Sequence, residues 1–144
     1  MIVVDVNVCL YAHDASSPCH EAAHAWLRTA LNGLEPVRFP WTTIVGFRRV
    51  ATSHRVLESP LSVEQAAGVV DVWLEAPAGG IVEPTERHWR VLRDLMVDSD
   101  ARGPLVPDAH LAALAIEHGA TLATTDRDFR RFLGLRLLDP TASA

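Results

Sequence analysis

The most constraining stretch of the chain is residues 105–129, LVPDAHLAALAIEHGATLATTDRDF, which reads as helix, stop, buried strand and acidic turn in direct succession. Asp108 follows Pro107 and precedes the apolar series Leu111, Leu114, Ala115 and Ile116. It is therefore placed as the N-cap of a helix, its carboxylate accepting the free N–H groups of the first turn. Gly119 supplies the left-handed residue that ends such a helix. Ala120 to Thr124 then reads as a short buried strand. Thr125-Asp126-Arg127-Asp128 forms a turn at its carboxyl end, where open α/β sheets bind ligands.

The first residues have the same form. Ile2-Val3-Val4 is a β-branched run of the kind buried on both faces of a parallel sheet, and it ends on Asp5. Between these two ends, helical periods at Val6–His13, 18–31, 42–53, Val63–Glu75 and 88–98 alternate with short strands at 37–39 and 81–82. A last strand is expected at 135–138. Ser62 and Gln65 form a capping box. Thr85 is expected to cap the helix that buries Trp89, Leu92, Leu95 and Met96, and Trp26, Trp73 and Trp89 are assigned to packing. The alternation implies a three-layer α/β fold, a short parallel sheet of four to five strands flanked by helices. At this length one domain over residues 1–139 is expected, with a frayed tail at 140–144.

If the strands ending on Asp5 and near Asp126 are neighbours, Asp5, Asp108 and Asp126 converge, with Asp128 at the rim. Carboxylates that close raise one another's pKa unless a cation shares the site. A hard divalent ion with oxygen ligands relieves the repulsion. Mg²⁺ fits, because one or two carboxylates together with water and a phosphate complete its coordination, and Mn²⁺ can replace it.

The order VVDVNVCLYA followed by PDAHLAALAIEHGATLATTDRDF resembles the PIN-domain ribonucleases of toxin–antitoxin pairs, the VapC type, over nearly the whole chain. The resemblance implies a Mg²⁺-dependent endoribonuclease that acts on RNA, forms a homodimer and is inhibited by a cognate antitoxin protein. In that family Asp5, Asp108 and Asp126 match metal-holding acids, Asn7 matches a polar residue that orients the first of them, and Asp128 matches a frequent extra acid. A further family carboxylate, usually a glutamate, falls within residues 41–47, where this chain has Gly46. That departure bears on how many ions bind. It also motivates an alternative, a PIN domain that binds RNA or antitoxin without cutting.

The net charge of −5 argues against a general nucleic-acid coat, but it is unevenly spread. Residues 37–57 carry Arg38, Arg48, Arg49 and Arg55 with no acid, whereas residues 58–100 hold nine acids against three arginines. Arg48, Arg49 and Arg127 are therefore candidate phosphate contacts. All 13 basic residues are arginine, which removes both Schiff-base chemistry and a P-loop. No apolar run approaches the ~20 residues of a membrane span, and a cytoplasmic protein is expected.

Two motifs compete with the acidic site. His20-Glu21-Ala22-Ala23-His24 matches the zinc motif HExxH, but no third ligand follows in a recognisable extension. Asp5-Val6-Asn7-Val8 loosely resembles the DxDx[TV] motif of haloacid dehalogenase-type phosphatases, but Asn7 cannot move the proton that the second acid moves there.

Overall fold

The structure, a computed structural model, describes residues 1–142. Strand β1 (Ile2–Val4) leads into helices α1 (Val6–His13) and α2 (His20–Leu31); β2 (Val37–Pro40) is followed by α3 (Trp41–Ala51) and α4 (Val63–Glu75). After β3 (Gly79–Val82) come α5 (His88–Ser99) and α6 (Leu105–Glu117), then β4 (Thr121–Ala123), a 3₁₀ turn over Arg127–Arg131, and β5 (Arg136–Leu138). The five strands form one sheet in the order β3-β2-β1-β4-β5, every pairing parallel. β1 and β4 are neighbours with Ile2, Val3 and Val4 opposite Thr121, Leu122 and Ala123. That pairing brings the two acidic strand ends together.

Each face of the sheet carries its own core, and the alternation along β1 assigns its residues to them. Ile2 and Val4 join Val37, Phe39, Val8, Leu27, Phe47 and Trp73 on the side of α1 to α4. Val3 joins Leu122, Val82, Leu114, Leu95 and Phe129 on the side of α5 and α6. Trp73 is 1% exposed. It stacks on Phe39 at 4.9 Å between ring centres and meets Phe47 edge-on at 4.7 Å, so α4 is pinned across β2 and α3.

On the other side, α5 is tied to α6 by polar contacts. The buried Glu117 carboxylate accepts the Thr85 N–H at 2.8 Å and lies 2.7 Å from His88 Nδ1, while His88 Nε2 lies 2.9 Å from His110 Nδ1. Arg87 donates to the Glu117 carbonyl at 2.6 Å.

Several local expectations are corrected. Helix α6 begins at Leu105, three residues before Asp108. Pro107 lies in its first turn, where the backbone N–H groups have no helical partner and a missing one costs nothing. Thr85 does not cap α5; its hydroxyl accepts from Arg87 N, within a turn that precedes the helix. Of the four α5 residues expected in the core, Leu95 is buried, Leu92 and Met96 are half-buried, and Trp89 is 63% exposed. The cause is that α5 packs chiefly on α6 and presents a narrow apolar stripe.

The tail turns back on Asp139, whose carboxylate accepts Thr141 N at 2.9 Å. Residues 143–144 of the expected frayed tail lie outside the described residues. Among the described residues, no helix is long and apolar enough to cross a membrane.

Candidate metal centre

Asp5 is the fixed point of the site. It stands just past the end of β1, and its backbone N–H donates to Ala123 O at 3.0 Å, extending the β1–β4 ladder by one bond. Its side chain caps α1: Oδ1 accepts the Val6 N–H at 2.7 Å, while Oδ2 accepts the Thr124 hydroxyl at 2.7 Å and an Asn7 amide N–H at 3.2 Å.

Thr124, buried at the end of β4, is saturated in the same way. Its hydroxyl oxygen accepts the second Asn7 amide proton at 3.3 Å and the Asp126 N–H at 3.1 Å while donating to Asp5. Asn7 Oδ1 in turn accepts Thr125 N at 3.4 Å. One hydroxyl therefore ties the two strand-end acids together. Thr124 was missed in the sequence, where it reads as one more strand residue; the available signal was a hydroxyl two places before a turn aspartate.

Asp126 caps the 3₁₀ turn through Asp128 N at 2.8 Å, and Asp128 is exposed beside Arg131, 3.9 Å away. Asp108 reaches the group from the first turn of α6, where the positive end of the helix favours an anion. Its carboxyl is pushed up to about 6 by partial burial first, then by the charges of Asp126, Asp5 and Asp128, against which Arg131 acts weakly. Burial also raises the Asp5 carboxyl, opposed by its hydrogen bonds from Thr124 and Val6 and reinforced by Asp126.

The four acids are thus electrostatically coupled, and the donor set is all carboxylate oxygen with an excess of negative charge. That chemistry fits a hard divalent ion. Among the described residues, no three acidic or histidine side chains close on a single point as a complete cage. An ion that needs only one or two carboxylates fits better than one that demands a full protein shell.

The remaining expected residues lie farther out. Arg127 follows Asp126 on the rim, exposed, whereas Arg48 and Arg49 face solvent in the last turns of α3, about 10 Å along the helix from its start. Gly46 faces the start of α1; a Cβ there would meet Val6 Cγ2 at 3.3 Å. Any side chain at this position would have to displace Val6 by a few tenths of an ångström. In the HExxH stretch, His20 Nδ1 and His24 Nδ1 bond the carbonyls of Tyr11 and Ala12 at 2.9 and 3.3 Å, finishing the last turn of α1, and among the described residues no third ligand completes a metal group with them.

The PIN-domain family model matches residues 2–134. The chain belongs to the PIN-domain family. Ribonuclease VapC43 of Mycobacterium tuberculosis is 44% identical over 97% of this chain and 95% of its own length, and ribonuclease VapC37 of the same organism 42% identical over 99% of both. Among solved structures, VapBC2 from Rickettsia felis, bound to a DNA fragment from the promoter, superposes with a TM-score of 0.70 at 19% identity. The match covers 96% of this chain and 98% of that one. This PIN domain therefore aligns over nearly its whole length with VapC ribonucleases and shares its fold with VapBC2. PIN-domain ribonucleases as a class depend on divalent metal.

Proposed function

We propose that this PIN protein is the endoribonuclease toxin of a toxin–antitoxin pair, that it hydrolyses RNA phosphodiester bonds with Mg²⁺ or Mn²⁺, and that residues 1–139 act as one nuclease unit. The observation that carries the metal reading is Asp108, whose carboxyl rises to about 6 through partial burial and the like charges beside it. A group in that position is costly without a cation and favourable with one.

Asp5 and Asp108 would hold the ion, with Asp126 and Asp128 acting directly or through water. When bound, a divalent ion supplies positive charge against the phosphodiester and makes water acidic enough to serve as a nucleophile near neutral pH. Asn7 and Thr124 keep the Asp5 carboxylate in one orientation, since each of its oxygens is already directed by a donor. Water adds to phosphorus and the bond to the 3′ oxygen breaks, leaving a 5′-phosphate and a 3′-hydroxyl. The 2′-hydroxyl takes no part. Arg127 on the rim, with Arg48 and Arg49 farther along α3, would contact backbone phosphates.

The strong similarity to the VapC ribonucleases of M. tuberculosis supports the activity. The likeness to the VapBC2 assembly supports a cognate antitoxin as partner. A homodimer and a cytoplasmic location complete the reading.

The test is cleavage of total RNA by wild type and Asp108→Asn, with Mg²⁺ or with EDTA. Wild type with Mg²⁺ cuts, while the variant and the chelated enzyme fall by at least 100-fold. Equal cutting in all four samples refutes the metal mechanism. Retained RNA binding without cutting by wild type would favour the non-cleaving module that Gly46 suggests.

A further inference from the structure

Trp41 is a large aromatic side chain left 51% exposed at the edge of the sheet where the acids gather. It opens α3 directly after Pro40, which is level with Val82 on β3. The Val3–Arg38 register places Pro40 level with Asp5 on the other side. Neighbouring strands are separated by about 4.8 Å, so the backbone of Trp41 starts roughly one strand spacing from that of Asp5, and its ring extends from there toward Glu83 at the end of β3.

Its indole is held in place: Nε1–H donates to Glu83 Oε1 at 3.2 Å. That bond uses the ring's hydrogen-bond donor, so what remains for recognition is its apolar face. It also places a carboxylate beside the ring, which repels a phosphate and leaves a neutral base as the favoured neighbour. A pinned aromatic with a free face beside a phosphodiester site has the properties of a stacking platform for an unpaired base. A base inside a duplex is already stacked on both sides and cannot use it.

We infer that Trp41 stacks an unpaired base of the RNA substrate, adjoining the phosphate that is cut, and thereby selects single-stranded or looped segments. The inference rests on the nuclease reading above. It adds a residue that chooses where the chain is cut rather than one that cuts.

The test compares wild type, Trp41→Ala and Trp41→Phe with Mg²⁺ on a single-stranded oligonucleotide, and all three in the Asp108→Asn background for binding to that strand and to a blunt duplex. Trp41→Ala is expected to raise KM and weaken single-strand binding roughly five- to 150-fold, the range that base–aromatic stacking covers. It should redistribute the cleavage sites while leaving duplex binding unchanged, and Trp41→Phe should restore most of the loss. If wild type cuts and Trp41→Ala matches it in KM, site pattern and binding, the inference falls while the nuclease reading stands. Equal loss on strand and duplex also overturns it, as does a defect confined to self-association or antitoxin binding, which would make this face a protein contact. If wild type neither binds nor cuts RNA, both readings fall.

Discussion

Acidification should strip the metal from this protein in a defined way. In the metal-free chain Asp108 keeps its proton up to about pH 6. A cation must displace that proton, so metal affinity is flat well above pH 6 and falls about tenfold for each pH unit well below it. Between pH 7 and pH 5 the ionised fraction of such a group drops from about nine-tenths to about one-tenth, so affinity should fall about tenfold. Asp5, raised by burial, adds to the fall. Asp126→Asn removes the largest charge acting on Asp108, so the bend in the curve should move to lower pH. Calorimetric titration with Mn²⁺ at pH 5, 6 and 7 measures this. Affinity constant within twofold from pH 5 to 7, or a bend that stays put in Asp126→Asn, would refute the account of the site as a group of coupled carboxylates.

The same linkage has a stability counterpart. Because the folded-state pKa of Asp108 is raised, the native state holds more protons than the unfolded chain between the reference value of 3.8 and about 6, so its carboxylate destabilises the metal-free fold above pH 6. Asp108→Asn should therefore be more stable than wild type at pH 7, by a smaller margin at pH 5, and nearly equal only below the reference value of 3.8, in urea denaturation without metal. Thr124→Val leaves a buried Asp5 oxygen short of a donor and should lower metal affinity by about 10- to 100-fold, with Thr124→Ser restoring it, read by the same calorimetry.

Glu117→Ala unpairs the Thr85 N–H and His88 and should cost about 1–3 kcal/mol in urea denaturation. Burial lowers the His110 pKa, so its share of stability is present at pH 7 and lost as the pH falls below 6.5. His20→Ala removes a partner of the last carbonyls of α1 and should cost about 1 kcal/mol or less, with no change in zinc content by elemental analysis.

Much of the architecture was readable because its signals are local. The β-branched run at Ile2–Val4, the capping box at Ser62 and Gln65, and the glycine at 119, observed with φ +64°, each stand where local rules place them. The link between Asp5 and Asp126 through Thr124 follows from their places at the ends of neighbouring strands, and those strands could be taken as neighbours from the sequence. Signals that needed tertiary context failed. Trp89 carries a core-type side chain, but which face of α5 meets α6 is decided by packing. Asp108 looked like a cap because a proline preceded it, and a first helical turn accepts proline equally well. Glu117 left a trace that went unread: an acid at the carboxyl end of a helix opposes the helix dipole and calls for a partner, here His88 and the Thr85 amide.

The strand nearest the amino terminus occupies the middle of the sheet, between β2 and β4. Its right-hand neighbour is not synthesised until residue 121, so β1 waits through most of translation with one edge unpaired. Asp5 cannot meet Thr124 or Asp126 before the last strands leave the ribosome. A chain cut short anywhere upstream of β4 lacks Thr124 and Asp126 and leaves one edge of β1 without its partner strand.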